Sequence, residues 1–343
     1  MRQRALMVGD RAPDFTLPDD TGTGRCLSNE ANGRPIVLCF PDHGTDGEWL
    51  EQMRASARAF SPHFLAVLAA RDDHGAWGGE SEAYGELLLT DPAGRIRTYY
   101  FKNAEVVPPV AFVLDPNQRI AAILNGADAP CGLAEPLAMA CHPQSPRTID
   151  GLAPTLIVPN VLQREACAAL IDAWRTGERF EGKVVWKSDE GSGLKVNHET
   201  KRRQDCAIDD QGLGKILRYT LGPRLAEETH RAFHFDDFAM ETFKIGCYRA
   251  ADNGFFKAHR DNVAEAVERR RYAVTINLNA EDYEGGDLRF PEYGIESYRP
   301  PTGGAIIFSC SLLHEVTPMI SGERYMLLTF LLERKHAPHA KRA

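Results

Sequence analysis

The sequence predicts two domains: an α/β domain first, then a β-sandwich or jelly roll with flanking helices. Three observations point there. A chain of 343 residues is longer than one ordinary hydrophobic core fills. The first third alternates short β-branched runs with helical patterning, as α/β units do. From Phe238 onward, short apolar stretches follow one another with Gly, Pro and Asn between them and few helical segments. At 43% hydrophobic and 26% charged residues, the composition is that of a globular protein.

Taken in order, VGDRAPDFTLPDDTG opens the chain with polar turns around short apolar pieces, and RPIVLCF at 34–40, ending on Pro41, has the density of a buried central strand. DGEWLEQMRASARAF follows with Trp49, Leu50, Met53 and Ala57 on one helical face. FLAVLAA at 64–70 and VAFVLDPNQRIAAIL at 110–124 complete the alternation, the latter folded at a hairpin on Pro116-Asn117.

On GDRAPDFTLPDDTG, PIVLCFP and FVLDPNQRI, this half resembles the thioredoxin-fold peroxiredoxin family over about residues 7–128. That family holds its reactive cysteine in a P-x-x-x-T-x-x-C loop, where a helix N-terminus and a nearby arginine lower the thiol pKa. Here the loop begins at Pro41, carries Thr45, and puts Glu48 at the cysteine position, while the supporting arginine's place falls on Pro109. A carboxylate does not attack peroxide as a thiolate does. Cys39, inside the strand, reads as core. The resemblance therefore implies a domain, residues 1–128, without peroxidase activity, serving as a scaffold, a homodimerisation surface or a substrate-presenting module.

Residues 129–153, within the Pro-, Gly- and Ala-rich run GADAPCGLAEPLAMACHPQSPRTIDGLAP, read as a linker with one short helix at GLAEPLAMA and a hinge at Pro-Gln-Ser-Pro. The second domain spans 154–335 and a basic tail 336–343. It starts with a helix over REACAALIDAWRTG, ending on Gly177, and another over GLGKILRYTLGPRLAEETHRAFHF, where Pro223 predicts a kink or break. Strands then follow in FAMETFKIGCYRA, FFKAHRDN, RRYAVTINLN, DLRFPE, ESYRP, AIIFSCSLLHEVTPM and RYMLLTFLLE.

Two H-x-D pairs occur, His234/Asp236 and His259/Asp261; chance alone supplies such a pair roughly once in a chain of this composition, so position must choose. His234 ends a helix, where the two side chains diverge. His259 and Asp261 lie on a predicted strand, where residues i and i+2 leave the same face and both reach one ion. His314, 55 residues beyond His259 at the end of AIIFSCSLLH, is the natural third ligand. Two imidazoles and a carboxylate on one side of a metal make the facial triad that suits non-haem Fe(II) and oxygen chemistry. Arg324, ten residues later, opens RYMLLTFLL and is placed to grip a carboxylate in bidentate fashion.

FFKAHRDN, RRYAVTINLNAEDYEGGDLRF, LLHEV and GERY together resemble the 2-oxoglutarate/Fe(II)-dependent dioxygenases of the prolyl-hydroxylase type, over about residues 155–333. The resemblance implies a thioredoxin-like fold followed by a double-stranded β-helix, with His259, Asp261 and His314 as catalytic metal ligands and Arg324 binding 2-oxoglutarate. Tyr248, 11 residues before His259, matches a tyrosine that contacts the cosubstrate, and reads equally as a core aromatic. A second cosubstrate tyrosine of some members is replaced here by Thr275, Ile276 and Asn277. The implied cofactors are Fe(II), 2-oxoglutarate and O2, with ascorbate compatible. The implied reaction hydroxylates an aliphatic C–H of an amino acid, a peptidyl residue, prolyl included, or a small natural product. Arg249, Arg260, Asn262 and Arg271 fall near the expected mouth, where a polar or anionic substrate would meet them.

A net charge of −8 argues against nucleic acid or an anionic membrane as partner. With no long apolar run and no signal-peptide core, the expectation is a cytoplasmic protein with a small-molecule or peptidyl substrate. The eight cysteines are scattered and read as free thiols, with Cys131 and Cys141 the one pair placed to bridge. Two alternatives stand beside the oxygenase: a thiol or peroxide redox enzyme run by the first half, which Glu48 opposes, and a non-catalytic metal-binding regulatory module, which the complete triad with Arg324 opposes.

Overall fold

The computed structural model describes residues 5–19, 21–41, 46–60, 65–70, 86–91, 93–101, 109–141, 148–149, 151–188, 191–209 and 211–334. The chain divides into two compact units, Met1–Arg147 and Thr148–Ala343. The expected tail 336–343 and residues 42–45 of the loop after Pro41 lie outside the described residues.

The first unit is a five-stranded sheet. Its strands are β1 (Ile36–Phe40), β2 (Leu65–Ala70), β3 (Glu86–Thr90), β4 (Val110–Leu114) and β5 (Ile120–Asn125), in the order β3-β2-β1-β4-β5. The first three run parallel, and β4 and β5 form an antiparallel hairpin on β1. Period-2 alternation explains why β1 reads as continuously apolar: both faces are buried. Ile36, Leu38 and Phe40 pack with Leu27 and Tyr100, while Val37 and Cys39 pack with Trp49, Leu50 and Met53 of helix α1 (Asp46–Ala57). Glu48 lies exposed in the first turn of α1, accepting a 3.4 Å hydrogen bond from Gln52.

The linker expected at 129–153 starts later than its composition suggests. A 3-10 turn at Ala129–Gly132 and helix α2 (Ala134–Ala140) belong to the first unit, because Leu133, Leu137 and Ala140 fall on one helical face and are buried against Trp49, Leu50 and Met53. At the other end Ala153 is buried in the second unit beside Tyr248 and Phe290. Residues 142–147 and 150 lie outside the described residues.

The second unit is two facing sheets with helices on one outer face. The larger, nine-stranded sheet runs β6-β12-β10-β14-β8 through its centre, where β6 is Thr155–Val158, β7 Lys201–Arg202, β8 Gln204–Ala207, β9 Phe255–His259, β10 Arg270–Asn277, β11 Leu288–Arg289, β12 Ala305–Ser309, β13 His314–Val316 and β14 Met319–Glu333. Between β14 and β8 lies one more strand, Lys244–Arg249, and Arg179–Glu181 continues beyond β8. The smaller, five-stranded sheet orders β7-β9-β13-β11 and ends on Ser297–Tyr298.

Helices α3 (Arg164–Thr176) and α4 (Leu213–Phe233) cover the larger sheet. Leu170, Trp174, Leu217, Leu221 and Leu225 pack on Val274, Ile276, Ile307, Leu327 and Leu331. The alternate residues Ala273, Ile306, Phe308 and Met326 face the smaller sheet, meeting Leu288, Phe290 and Val316. Of the kink or break expected at Pro223, the break is absent: α4 continues through it, because Leu217, Leu221 and Leu225 keep one buried stripe across the proline. That burial offsets the roughly 3 kcal/mol a helix-interior proline costs.

Candidate metal centre

Strand β9 pairs antiparallel with β13, and the register sets His259 directly opposite His314. His314 is thus the first residue of a returning strand; the apolar run before it ends in β12 at Ser309, and the chain turns through residues 310–313. Asp261 follows β9, its backbone N–H bonded to the Cys310 carbonyl at 3.0 Å. Asp261 Oδ1 lies 3.5 Å from His259 Nε2, and Oδ2 lies 3.3 Å from His314 Nε2. One donor atom from each of the three residues falls within 4.8 Å of the others, and among the described residues no fourth His, Cys, Asp or Glu joins them.

Both imidazoles are oriented from behind. His259 Nδ1 donates to the Lys257 carbonyl and His314 Nδ1 to the Leu312 carbonyl, each at 2.9 Å. A ring that uses Nδ1–H in this way keeps its Nε2 lone pair for a metal. Two imidazole nitrogens and a carboxylate oxygen, all on one side, form a donor set that fits Fe(II) with open positions.

The electrostatics agree with a site built for a cation. Burial works against ionising Asp261, but the imidazoles, His314 first, outweigh it and hold its carboxyl far below the ordinary carboxylate range. Burial lowers the His259 pKa, partly offset by Asp261; at His314 burial is outweighed by Asp261, and the pKa rises. Phe256 stacks on His259 at 3.5 Å between centroids, and Phe308 meets His314 edge-on at 4.7 Å. These rings leave the triad a largely apolar surround.

The loop carrying Asp261 is tied to the turn before His314. Asn262 Nδ2 bonds Ser311 Oγ at 2.8 Å, Arg260 donates to the Ser311 carbonyl and pairs with Glu292, and Glu292 accepts from Leu313 N at 3.2 Å. Arg249 pairs with Asp252 and Arg271 with Glu333. All four residues near the mouth thus have protein partners.

Tyr248 and Arg324 are register partners across the Lys244–Arg249 strand and β14. Arg324 does not open its strand: β14 starts at Met319, and Arg324 lies inside it at 3% exposure. Its Nη1 donates to the Gly286 carbonyl, and its Nε is buried with no hydrogen-bond partner among the described residues. Its guanidinium carbon stands 5.9 Å from the Tyr248 ring centroid. Tyr248 is buried; desolvation raises its pKa against the opposing charges of Arg203 and Arg324, so the phenol keeps its proton. At the place of the missing second tyrosine, Asn277 bonds the Tyr283 hydroxyl and the Pro300 carbonyl.

The rival pair separates as expected: His234 caps α4 in the left-handed conformation, and Asp236 pairs with His230 at 3.1 Å. None of the eight cysteines, Cys131 and Cys141 included, is in a disulfide. Sequence reading missed a second polar group in the interior. Arg203, partly buried, and Asp205, buried, form a two-point ion pair at 2.6 and 2.8 Å, with the guanidinium 5.7 Å from the Tyr248 ring centroid, and Lys201 is buried on β7. The one signal for them was the i, i+2, i+4 spacing of Lys201, Arg203 and Asp205, which on a single strand would set three charges on one face; the structure divides them between β7, β8 and the residue joining them.

Residues 243–332 match the family model described as the 2OG-Fe(II) oxygenase superfamily. Over 180 residues, 50% of this chain, the sequence is 32% identical to the PKHD-type hydroxylase PiuC of Pseudomonas aeruginosa, of which it covers 74%. A PKHD-type hydroxylase of Pseudomonas putida is 33% identical over 182 residues, with the same coverage of 50% and 74%. Among solved structures, a Pseudomonas putida prolyl-4-hydroxylase aligns with 52% of this chain and 92% of its own, at 21% identity and a TM-score of 0.40. Among the described residues no helix is long and apolar enough to cross a membrane.

Proposed function

The chain belongs to the 2OG-Fe(II) oxygenase superfamily, and from that premise we propose that His259, Asp261 and His314 hold the iron, that Arg324 and Tyr248 hold 2-oxoglutarate, and that the reaction hydroxylates an aliphatic C–H of an amino acid, a peptidyl residue, prolyl included, or a small natural product. The protein is a non-haem Fe(II)- and 2-oxoglutarate-dependent dioxygenase using O2. The observation that carries the residue assignment is the convergence of three donors, two from paired strands and one from the turn after β9, with both Nδ1 atoms already committed to carbonyls.

When bound, Fe(II) supplies the oxygen chemistry: 2-oxoglutarate is oxidatively decarboxylated to succinate and CO2, and a hydroxyl group is delivered to the substrate carbon. The chain's own residues position and exclude. Arg324 offers its unpaired Nε and the rest of its fork to the cosubstrate carboxylate remote from the keto group, and the neutral Tyr248 hydroxyl donates beside it. Arg203, fixed by Asp205 and immediately preceding β8, braces the Tyr248 ring. Phe256, Phe290 and Phe308 keep water from the reacting centre. Catalysis of this kind rests on orientation rather than on a protein acid or base.

The first unit serves as a non-catalytic accessory of thioredoxin-like type. Its sheet order, the buried Cys39 and the glutamate at position 48 in the first turn of α1 support that assignment.

Anaerobic addition of 2-oxoglutarate to the Fe(II)-loaded full chain tests the site. A visible charge-transfer absorption that is lost in His259→Ala is the expected result. Its absence from the wild-type protein would overturn the assignment.

A further inference from the structure

A buried lysine stands beside the triad without a carboxylate. Lys201 opens β7, and the β7–β9 register sets it opposite Phe256, the residue whose ring stacks on His259. Its Nζ is 4.7 Å from the Phe256 ring centroid, and the residue is 5% exposed. Gly182 makes the room: a Cβ there would come within 2.7 Å of Lys201 Cε and 3.0 Å of Nζ. An ammonium group has three donors, and among the described residues one acceptor meets it, the Lys183 carbonyl at 3.3 Å. Among the described residues no carboxylate reaches Nζ at ion-pair distance: Asp205 is held at two points by Arg203, and Asp261 stands between the two imidazoles.

Burying a cation this way is costly, and the cost appears in its acidity: desolvation first, then the charge of Arg203, bring the Lys201 pKa down to about 7. The cation–π contact with Phe256 recovers a part of that cost. Lys201 and the proposed cosubstrate residues lie on different sheets. Lys201 belongs to the smaller sheet, against the ring that covers His259, whereas Arg324 belongs to the larger sheet beside Tyr248. The two carboxylates of 2-oxoglutarate are accounted for by the metal and Arg324, which leaves the Lys201 donors for a third anion.

We propose that Lys201 is a specificity-determining residue that pairs with a free carboxylate of the prime substrate, so that the substrate class is a carboxylic acid hydroxylated near its carboxylate, such as an N-blocked amino acid or the C-terminal residue of a peptide. This rests on the oxygenase assignment above. It separates that class from residues inside a peptide chain, whose α-carboxylate is tied up in an amide bond.

The test measures binding of the twenty N-acetyl amino acids and their primary amides to the full chain, loaded anaerobically with Fe(II) and 2-oxoglutarate, by calorimetry. At least one acid should bind about tenfold or more tightly than its amide, the effect of a charge-assisted pair. Lys201→Met should erase that difference and Lys201→Arg retain it. Equal affinity of acid and amide in every pair, a preference that survives in Lys201→Met, or no binding by any acid would overturn the proposal. The wild-type comparison stands even where a variant fails to fold. Failure of the oxygenase assignment reads out separately, as loss of the visible Fe(II)–2-oxoglutarate absorption before any probe is added.

Discussion

Tyr248 and Arg324 face each other across adjacent antiparallel strands, so a phenol and a guanidinium leave the sheet on the same side and end in the same interior. The pair is self-consistent chemically: the phenol is kept neutral and the arginine is left with a buried, unpaired Nε. An unmet buried donor of that kind is expensive unless a ligand meets it.

Arg324→Ala should therefore raise the 2-oxoglutarate concentration needed for half-maximal turnover by about 100-fold or more, the effect of losing a buried charge-assisted pair. Arg324→Lys should fall between, since an ammonium cannot reproduce the fork. Tyr248→Phe removes one neutral hydrogen bond, and about a tenfold rise is expected. Steady-state succinate formation against 2-oxoglutarate concentration measures all three; an unchanged requirement in Arg324→Ala would move the cosubstrate elsewhere.

His259→Ala and Asp261→Ala each remove a proposed metal donor. Loss of a group that merely orients a ligand costs up to about 100-fold in metal affinity, so loss of the donor should cost more. Substrate-dependent succinate release should disappear with either variant. Wild-type turnover in His314→Ala would dismantle the triad.

The interior ion pair has a steric condition. A Cβ at Gly246 would stand 3.2 Å from Arg203 Cδ and Nε and from Asp205 Oδ1. Gly246→Ala should displace that pair from beside Tyr248 and cost roughly 1–3 kcal/mol, as overpacking does. Denaturant unfolding of the second unit gives the stability loss, and the 2-oxoglutarate requirement should rise with it. A change in neither would show that the pair does not support Tyr248.

Packing on the outer face of the larger sheet is tested by Leu327→Ala. Leu327 is 1% exposed and sits in the cluster that receives Leu217 and Leu221 from α4. A loss of about 2–5 kcal/mol is expected from the cavity, read as a lower denaturant midpoint.

The full chain should show no thiol-dependent peroxide turnover, because Glu48 stands in the first turn of α1 and Cys39 is buried in β1. Peroxide consumption that needs a thiol reductant and is abolished in Cys39→Ser would restore a redox role to the first unit.

Residues close in sequence carried the part of this protein that could be read without a structure. His259 and Asp261 are two apart, and the strand period of two directed both to one site, although β9 ends at His259 and Asp261 lies in the turn just after it. The apolar runs around His314 and Arg324 announced strands, because strands buried on both faces are apolar throughout. What the chain could not show locally was which strands become neighbours. The pairings of His259 with His314, Tyr248 with Arg324 and Lys201 with Phe256 are matters of register between segments far apart. Arg324 read as the opening residue of a strand, whereas it lies inside β14, and Lys201, Arg203 and Asp205 drew no attention, since charged residues without an apolar rhythm ordinarily lie in water. Their burial follows from the closing of one sheet over the other, a decision made by long-range packing that no window of sequence contains.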